Sequence, residues 1–254
     1  MNTTIANDKK IYFLSDFHLG APDYEKSKQR EKRIVHFLNT IQPTVQELFI
    51  VGDMFDFWYE YKTAVPKGYT RILGKLAEFT DAGIPVHFFV GNHDMWMSGY
   101  FEKELNIPVY FHPKTFQYNG KQFYIGHGDG LGPGDNGYKL LKKVFRNPIC
   151  HWLFGIIHPN IGIGVANYFS RESRKKTGMK DEVFMGEDKE WLMIYSREIL
   201  QQQHIDFFVF GHRHLPLNLQ LAPNSKYINL GDWIINFTYA TFDGNNMELH
   251  KWQE

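Results

Sequence analysis

Five short runs of almost unbroken apolar residues punctuate this chain, at 11–14, 48–51, 86–90, 123–125 and 207–210. Short runs rich in Phe, Ile and Val, with no polar residue at every second position, predict strands buried on both faces. Between the first runs the period changes to that of a helix. Ile34, Val35, Phe37, Leu38 and Ile41 predict a helix over 27–40. Tyr69, Ile72, Leu73, Leu76, Ala77 and Phe79 predict another, stopped by Asp81-Ala82-Gly83. Alternating strands and helices predict an α/β sheet as far as residue 130. Beyond residue 200 the segments 218–221, 227–230, 236–242 and 247–252 read as strands, the last two joined by the hairpin signal Asp243-Gly244-Asn245-Asn246. An α/β half closed by antiparallel strands predicts two packed sheets with helices outside.

The segment 131–185 leaves this rhythm. It opens with Gly132-Pro133-Gly134-Asp135 and predicts a helix over 138–145. An apolar stretch over 149–157 follows, with Trp152, Leu153 and Phe154, and then a glycine-punctuated segment leads into 165–171. From Tyr138 to Lys176 there are eight basic residues, among them Lys142, Arg146 and Arg171, against one acid, Glu172. The whole chain balances 28 basic against 28 acidic residues, so its net charge does not advertise nucleic-acid binding. Basic and apolar residues concentrated together fit a surface that meets anionic lipid or an amphiphilic substrate. A helical hairpin packed on the main domain with a solvated basic rim fits the pattern equally well.

The 254 residues suit a single domain spanning 1–254 with 131–185 inserted as a helical cap, and 22 Phe and 14 Tyr predict large buried surfaces. The single cysteine, Cys150, excludes an internal disulfide framework and agrees with a reducing compartment. No signal-peptide pattern and no apolar segment of roughly 20 residues is found, so a soluble, cytoplasmic protein is expected.

The chemistry stands where the apolar runs end. Asp16-Phe17-His18, Gly52-Asp53, Gly91-Asn92-His93-Asp94, Gly126-His127-Gly128-Asp129 and Gly211-His212-Arg213-His214 each follow one run. One Gly-Asp after a strand is often only a turn. The same strand-then-ligand grammar five times over points to one site, because parallel strands present their C-terminal ends along one edge. Asp, His and Asn suit hard or borderline divalent cations. Asp16, His18, Asp53, Asn92, His127, His212 and His214 form the natural ligand set. It exceeds the needs of one zinc and suits two ions sharing a carboxylate. Two ions about 3.5–4 Å apart can hold a hydroxide and clamp the attacking and leaving oxygens at phosphorus. That implies phosphoester or phosphoanhydride hydrolysis. The remaining histidines lack the post-strand glycine and are assigned no metal. Asp56, Asp94 and Asp129 are expected to orient ligands, and Asp232-Trp233 to support the site's edge.

In this order the blocks, with Gly52-Asp53-Met54-Phe55-Asp56, resemble those of the calcineurin-like metallophosphoesterases across residues 11–214. The resemblance implies a four-layer α/β/β/α sandwich of two mixed sheets with a dinuclear site. One ion would be held by Asp16, His18, Asp53 and His214, the other by Asp53, Asn92, His127 and His212, with Asp53 bridging. Asn92 and Asp53 would share in catalysis, and His93 would stabilise developing charge or protonate the leaving oxygen. The ions would be divalent, Mn²⁺ first, with Fe, Co and Zn also compatible with such a shell.

A narrower resemblance runs through Ser15-Asp16-Phe17-His18-Leu19-Gly20, His127-Gly128-Asp129-Gly130-Leu131, Asp135, Tyr138, Phe145-Arg146-Asn147-Pro148 and Arg171-Glu172-Ser173-Arg174. These are similar to the UDP-2,3-diacylglucosamine hydrolase family of lipid A synthesis, which carries a helical cap at this point in the chain. The implied reaction is attack of a metal-bound hydroxide on the α-phosphorus, giving UMP and 2,3-diacylglucosamine 1-phosphate (lipid X). Asn92, His93, Asp135, Arg171, Ser173, Thr177, Lys180 and His212 would contact sugar or phosphate, and apolar cap residues would receive the acyl chains. The protein would then sit peripherally on the cytoplasmic face of a bacterial inner membrane. That family carries arginine after the ligand Asn, where this chain has His93, the broader phosphoesterase pattern. A related phosphodiesterase or nucleotide pyrophosphatase with a soluble substrate, and a scaffold with a structural metal centre, remain the competing expectations.

Overall fold

The computed structural model describes residues 2–134, 136–181 and 183–253, and of Arg171 and residues 173–181 only the backbone. The strands in chain order are β1 (Asn2–Thr3), β2 (Lys10–Leu14), β3 (Val45–Val51), β4 (Val86–Phe89), β5 (Val109–Tyr110), β6 (Lys114–Tyr118), β7 (Lys121–Ile125), β8 (Phe207–Phe210), β9 (Leu217–Ala222), β10 (Ser225–Asn229), β11 (Thr238–Phe242) and β12 (Met247–Lys251). The helices are α1 (Tyr24–Ile41), α2 (Thr70–Asp81), α3 (Tyr100–Glu104), α4 (Asn136–Phe145), α5 (Pro148–Ile156), α6 (Pro159–Asp181) and α7 (Trp191–Leu200).

Two mixed sheets form. One runs β12-β11-β2-β3-β4-β5, with β2, β3, β4 and β5 parallel; the other runs β1-β6-β7-β8-β10-β9, with β7, β8 and β10 parallel. Successive side chains of a strand point to opposite faces, and here both faces are covered. Phe13, Phe49, Val51, Phe123, Ile125, Val209, Ile228 and Phe242 meet between the sheets in one buried cluster. Phe13 stacks on Phe49 of its own sheet at 5.1 Å and on Phe123 of the facing sheet at 6.0 Å. Their strand neighbours Tyr12, Leu14, Leu48 and Ile50 turn the other way, onto Ile34, Phe37, Leu38 and Ile41 of α1 and Ile72, Leu76 and Phe79 of α2. On the far side Phe208, Phe210 and Tyr227 bury Leu192 and Met193 of α7. The molecule is thus an α/β/β/α sandwich. The five runs carry no polar alternation because each strand has a core on both faces.

The N-terminal limits of several elements differ from the expected ones. α1 starts at Tyr24 because Asp23 caps it, accepting from the Lys26 amide at 2.9 Å. β11 starts at Thr238 rather than 236, because the Asn236 side chain donates to His214 O and to Asp232. The hairpin at 243–246 forms as expected, with Phe242 opposite Met247. α4, α5 and α6 occupy the segment expected as a cap, and α6 is continuous through its glycines. No helix among the described residues is long and apolar enough to cross a membrane.

Candidate metal centre

Each of the five ligand-bearing blocks follows the C-terminal end of a parallel strand: β2, β3 and β4 in one sheet, β7 and β8 in the other. Five candidate ligands carry left-handed backbone: Asp16 (φ 57°), His18 (44°), Asp53 (51°), His212 (69°) and His214 (49°). Such residues cost on the order of 1–3 kcal/mol each and persist only where the surroundings over-determine them. The surroundings here are the two sheets, which continue to pair past the strand ends: the amides of Asp16 and His18 donate to Gly52 O and Asp53 O at 3.1 and 2.9 Å. Two glycines make the approach possible. A Cβ on Gly91 would collide with the Asp53 carboxylate, and one on Gly211 with Ser15 Oγ and the Asp16 carboxylate.

One end of each ligand is fixed, and the other faces a common space. Asp16 Oδ2 accepts from Ser15 Oγ at 2.5 Å and from the His212 amide at 3.0 Å, while its buried Oδ1 has no hydrogen-bond partner. Asp53 Oδ1 accepts from the His93 amide at 2.8 Å. Its Oδ2 stands 3.7 Å from His18 Nε2 and 3.3 Å from His127 Nε2. His127 Nδ1 donates to Val51 O at 2.8 Å, which turns Nε2 toward Asn92 Oδ1 at 3.3 Å. His214 Nε2 is 3.1 Å from His18 Nε2 and 3.3 Å from Asp16 Oδ1. His212 completes a group with Asp53 and His127 whose donor atoms lie within 4.8 Å of one another.

These separations fit metal ions. Donors each about 2.0–2.2 Å from a shared ion stand roughly 3–3.5 Å apart in a tetrahedral or octahedral shell. Asp16, His18 and His214 form one such group, Asp53, His127 and His212 another, and Asp53 Oδ2 reaches toward both. Charge is concentrated to match. Burial opposes ionisation of Asp16 and Asp53, but His127 and the other nearby imidazoles prevail and hold both carboxyls well below their ordinary range. Burial disfavours the imidazolium of His18 as well, yet Asp16, Asp56 and Asp53 raise it to about 9. His127, beside Asp53 and Asp16, likewise rises against burial to about 10, and burial with His127 as neighbour pushes His212 down to about 4.

The supporting residues divide their work. Asp94 accepts from the Gly91 and Met54 amides at 2.7 and 2.8 Å, tying the loop after β4 to the loop after β3, and burial beside Asp53 raises it to about 7. Asp56 places Oδ1 3.7 Å from His18 Nδ1 and 3.6 Å from His93 Nδ1. The Trp233 amide donates to Asp16 O at 3.1 Å, so the expected support from 232–233 is present. Asp129 corrects its expected role. It accepts from Tyr138 Oη at 2.7 Å and pairs with Lys142, both on α4, so it anchors the cap, and the Val51 carbonyl orients His127 instead. Three supports escaped the sequence reading. Arg30 donates to Phe17 O and His18 O at 2.9 and 2.8 Å. Arg213, buried between two candidate ligands, pairs with buried Glu190 at 2.7 Å and donates to Val183 O at 3.0 Å. Ser170 of α6 lies 3.1 Å from His93 Nδ1. An Arg flanked by histidines and a Ser in a glycine-punctuated helix give no signal of such contacts.

The cap covers this edge. Beyond Tyr138 and Lys142, Trp96 Nε1 donates to Phe145 O and Tyr59 Oη to His151 O, both at 2.7 Å. Its outer faces leave Ile149 66%, Trp152 64% and Phe169 66% exposed. Of the residues expected to contact substrate, Asp135 lies outside the described residues, as do the side chains of Arg171, Ser173, Thr177 and Lys180. Asn92, His93 and His212 stand at the centre itself.

The family model for calcineurin-like phosphoesterases matches residues 9–216, a span that begins before β2 and ends after His214. The chain belongs to this family. It is a metal-dependent hydrolase, in keeping with a donor set spaced for divalent ions. The phosphoesterase is also similar to a protein of Porphyromonas gingivalis named UDP-2,3-diacylglucosamine hydrolase, with 36% identity over 257 residues, 96% of this chain and 98% of the relative. A protein of the same name from Histophilus somni is 27% identical over 228 residues, 89% of this chain and 92% of the relative.

Proposed function

We propose that this phosphoesterase hydrolyses the pyrophosphate bond of UDP-2,3-diacylglucosamine, releasing UMP and 2,3-diacylglucosamine 1-phosphate in lipid A synthesis. The observation that carries the reading is the near end-to-end similarity to a relative of that name, 36% identical over 96% of the chain. The amphiphilic cap above the metal centre supports it.

In this reading Asp16, His18, Asp53 and His214 hold one divalent ion and Asp53, Asn92, His127 and His212 the other, with Asp53 shared. Mn²⁺ is the proposed metal. Bound ions supply Lewis-acid charge to the phosphoryl oxygens and lower the pKa of an attacking water. The chain's own residues do the rest. Asn92 and His212, at the rim of the centre, orient the phosphoryl group so that water reaches the α-phosphorus. His93 is held with Nδ1 donating to Asp56 O at 2.9 Å, so Nε2 is the nitrogen that stabilises or protonates the departing oxygen. Asp135, Arg171, Ser173, Thr177 and Lys180 grip the sugar and its phosphate. The exposed Ile149, Trp152 and Phe169, in an apolar stretch that the sequence flanks with basic residues at 139–146 and 171–176, receive acyl chains and rest on anionic lipid at the cytoplasmic face of the inner membrane.

The test is a substrate panel with Mn²⁺: UDP-2,3-diacylglucosamine, its monoacyl counterpart, UDP-N-acetylglucosamine and a plain phosphodiester. Turnover should fall steeply as acyl chains are removed. Equal turnover of the acylated and unacylated UDP-sugars would favour a pyrophosphatase of soluble nucleotides.

A further inference from the structure

We propose that Ser170 is a positioning residue that aims the His93 imidazole and makes that aim depend on the cap being seated. The inference rests on the reading that His93 acts on a substrate oxygen.

Ser170 belongs to α6, a cap helix, and is half-buried while its neighbours Tyr168 and Phe169 are exposed at 62% and 66%. Three atoms meet there. His93 Nδ1 is 2.9 Å from Asp56 O, Ser170 Oγ is 3.3 Å from the same carbonyl, and Ser170 Oγ is 3.1 Å from His93 Nδ1. A carbonyl oxygen only accepts, so Nδ1 carries a proton and donates it. The Ser170 hydroxyl then donates to Asp56 O, and its own oxygen takes a share of the Nδ1–H. The ring is held from two sides, by the loop after β3 and by the cap.

Among the described residues, several other anchors of the cap lie elsewhere. Tyr138 and Lys142 hold Asp129, Trp96 holds Phe145 O, and Tyr59 holds His151 O. None of these contacts includes His93. If α6 lifts, His93 keeps Asp56 O but loses the Ser170 restraint on the tilt of its ring. A substrate that seats the cap thereby restores the imidazole to its working orientation.

The experiment compares Ser170→Ala, Ser170→Thr, His93→Ala and the double variant Ser170→Ala/His93→Ala in the full-length, metal-loaded protein. Turnover, KM for UDP-2,3-diacylglucosamine and metal content are read for each. Loss of one neutral hydrogen bond should lower kcat about 3- to 10-fold. KM should stay within about twofold and metal content should be unchanged, because the hydroxyl bonds Asp56 O and His93 Nδ1, neither of them in the proposed ligand sets. Ser170→Thr, which keeps the hydroxyl, should recover most of the loss, and in the His93→Ala background removal of the hydroxyl should add nothing. The proposal is overturned if Ser170→Ala leaves kcat unchanged while His93→Ala lowers it, or if the Ser170 effect persists in full without His93. If His93→Ala itself leaves kcat unchanged, the role given to His93 fails, and the positioning role fails with it.

Discussion

The Nε2 atoms of His18 and His214, 196 positions apart in the sequence, lie 3.1 Å apart. Two protonated imidazoles would repel at that distance, whereas two neutral ones can share a cation. Asp16 Oδ1 stands 3.3 Å from His214 Nε2, and Asp53 Oδ2 stands 3.7 Å from His18 Nε2. The proposed ligand sets therefore overlap only at Asp53. His214→Ala should reduce bound metal from two equivalents to one, and Asp53→Ala should remove both and lower turnover by more than about 10³-fold. Metal analysis of desalted protein checks this. Equal metal loss in the two variants would show that Asp53 does not bridge.

Protons compete with the metals. In the metal-free protein the carboxylates hold His18 at about 9 and His127 at about 10, so both are protonated at pH 7. Metal binding requires neutral imidazole, and loading at pH 7 should release close to two protons. Titration calorimetry in buffers of different ionisation enthalpy reads that number. The sign for stability follows from the same shifts. A folded-state pKa raised above the unfolded value of about 6.5 contributes stability that is complete below that value. It is lost progressively as pH rises from about 6.5 through 9 to 10, so metal-free protein should melt at progressively lower temperature across that whole range.

Gly91→Ala should lower metal affinity although it replaces no ligand. Its Cβ would displace the Asp53 carboxylate and backbone. Asp94, which accepts from the Gly91 amide at 2.7 Å, resists movement of the loop the other way. A loss of about 10-fold or more in metal affinity is expected, in the range seen when groups around a ligand are disturbed. Competition with a chelator measures it, and unchanged affinity would mean that the loop can yield.

Arg213→Ala should be among the most destabilising single changes near the site. It would leave the Glu190 carboxylate buried without its partner at 2.7 Å. Breaking such a pair costs about 3–5 kcal/mol. For a chain of this size that is a fall in Tm of roughly 10 °C. Calorimetry with saturating metal should show the fall. A drop of only a degree or two would mean that Glu190 finds water or a proton.

Much of this was legible in the sequence because the physical constraints are local. Phe13, Phe49 and Val209 mark strands with two covered faces, and a glycine before each of Asp53, Asn92, His127 and His212 marks the close approach of neighbouring loops. The two-residue edge strands β1 and β5, and the partly exposed β6 beside β1, were not legible, having no clean period. α7 was passed over although Leu192 and Met193 are wholly buried in its core. Asp and His tolerate left-handed backbone better than most residues, but that Asp16 and His18 adopt it is set by the pairing past the strand ends, which residue type alone does not show. Asp129 was misread for a related reason. Asp129 is expected to orient a ligand, as Asp56 and Asp94 are, but its buried carboxylate meets Tyr138 and Lys142 of the cap.

The most direct test of the central claim is hydrolysis of UDP-2,3-diacylglucosamine in H₂¹⁸O by chelator-treated protein with and without added Mn²⁺, with both products weighed by mass spectrometry. The account predicts no turnover without metal and, with it, one ¹⁸O atom in UMP and none in 2,3-diacylglucosamine 1-phosphate. Turnover that survives metal removal, or label in the sugar phosphate, would contradict it.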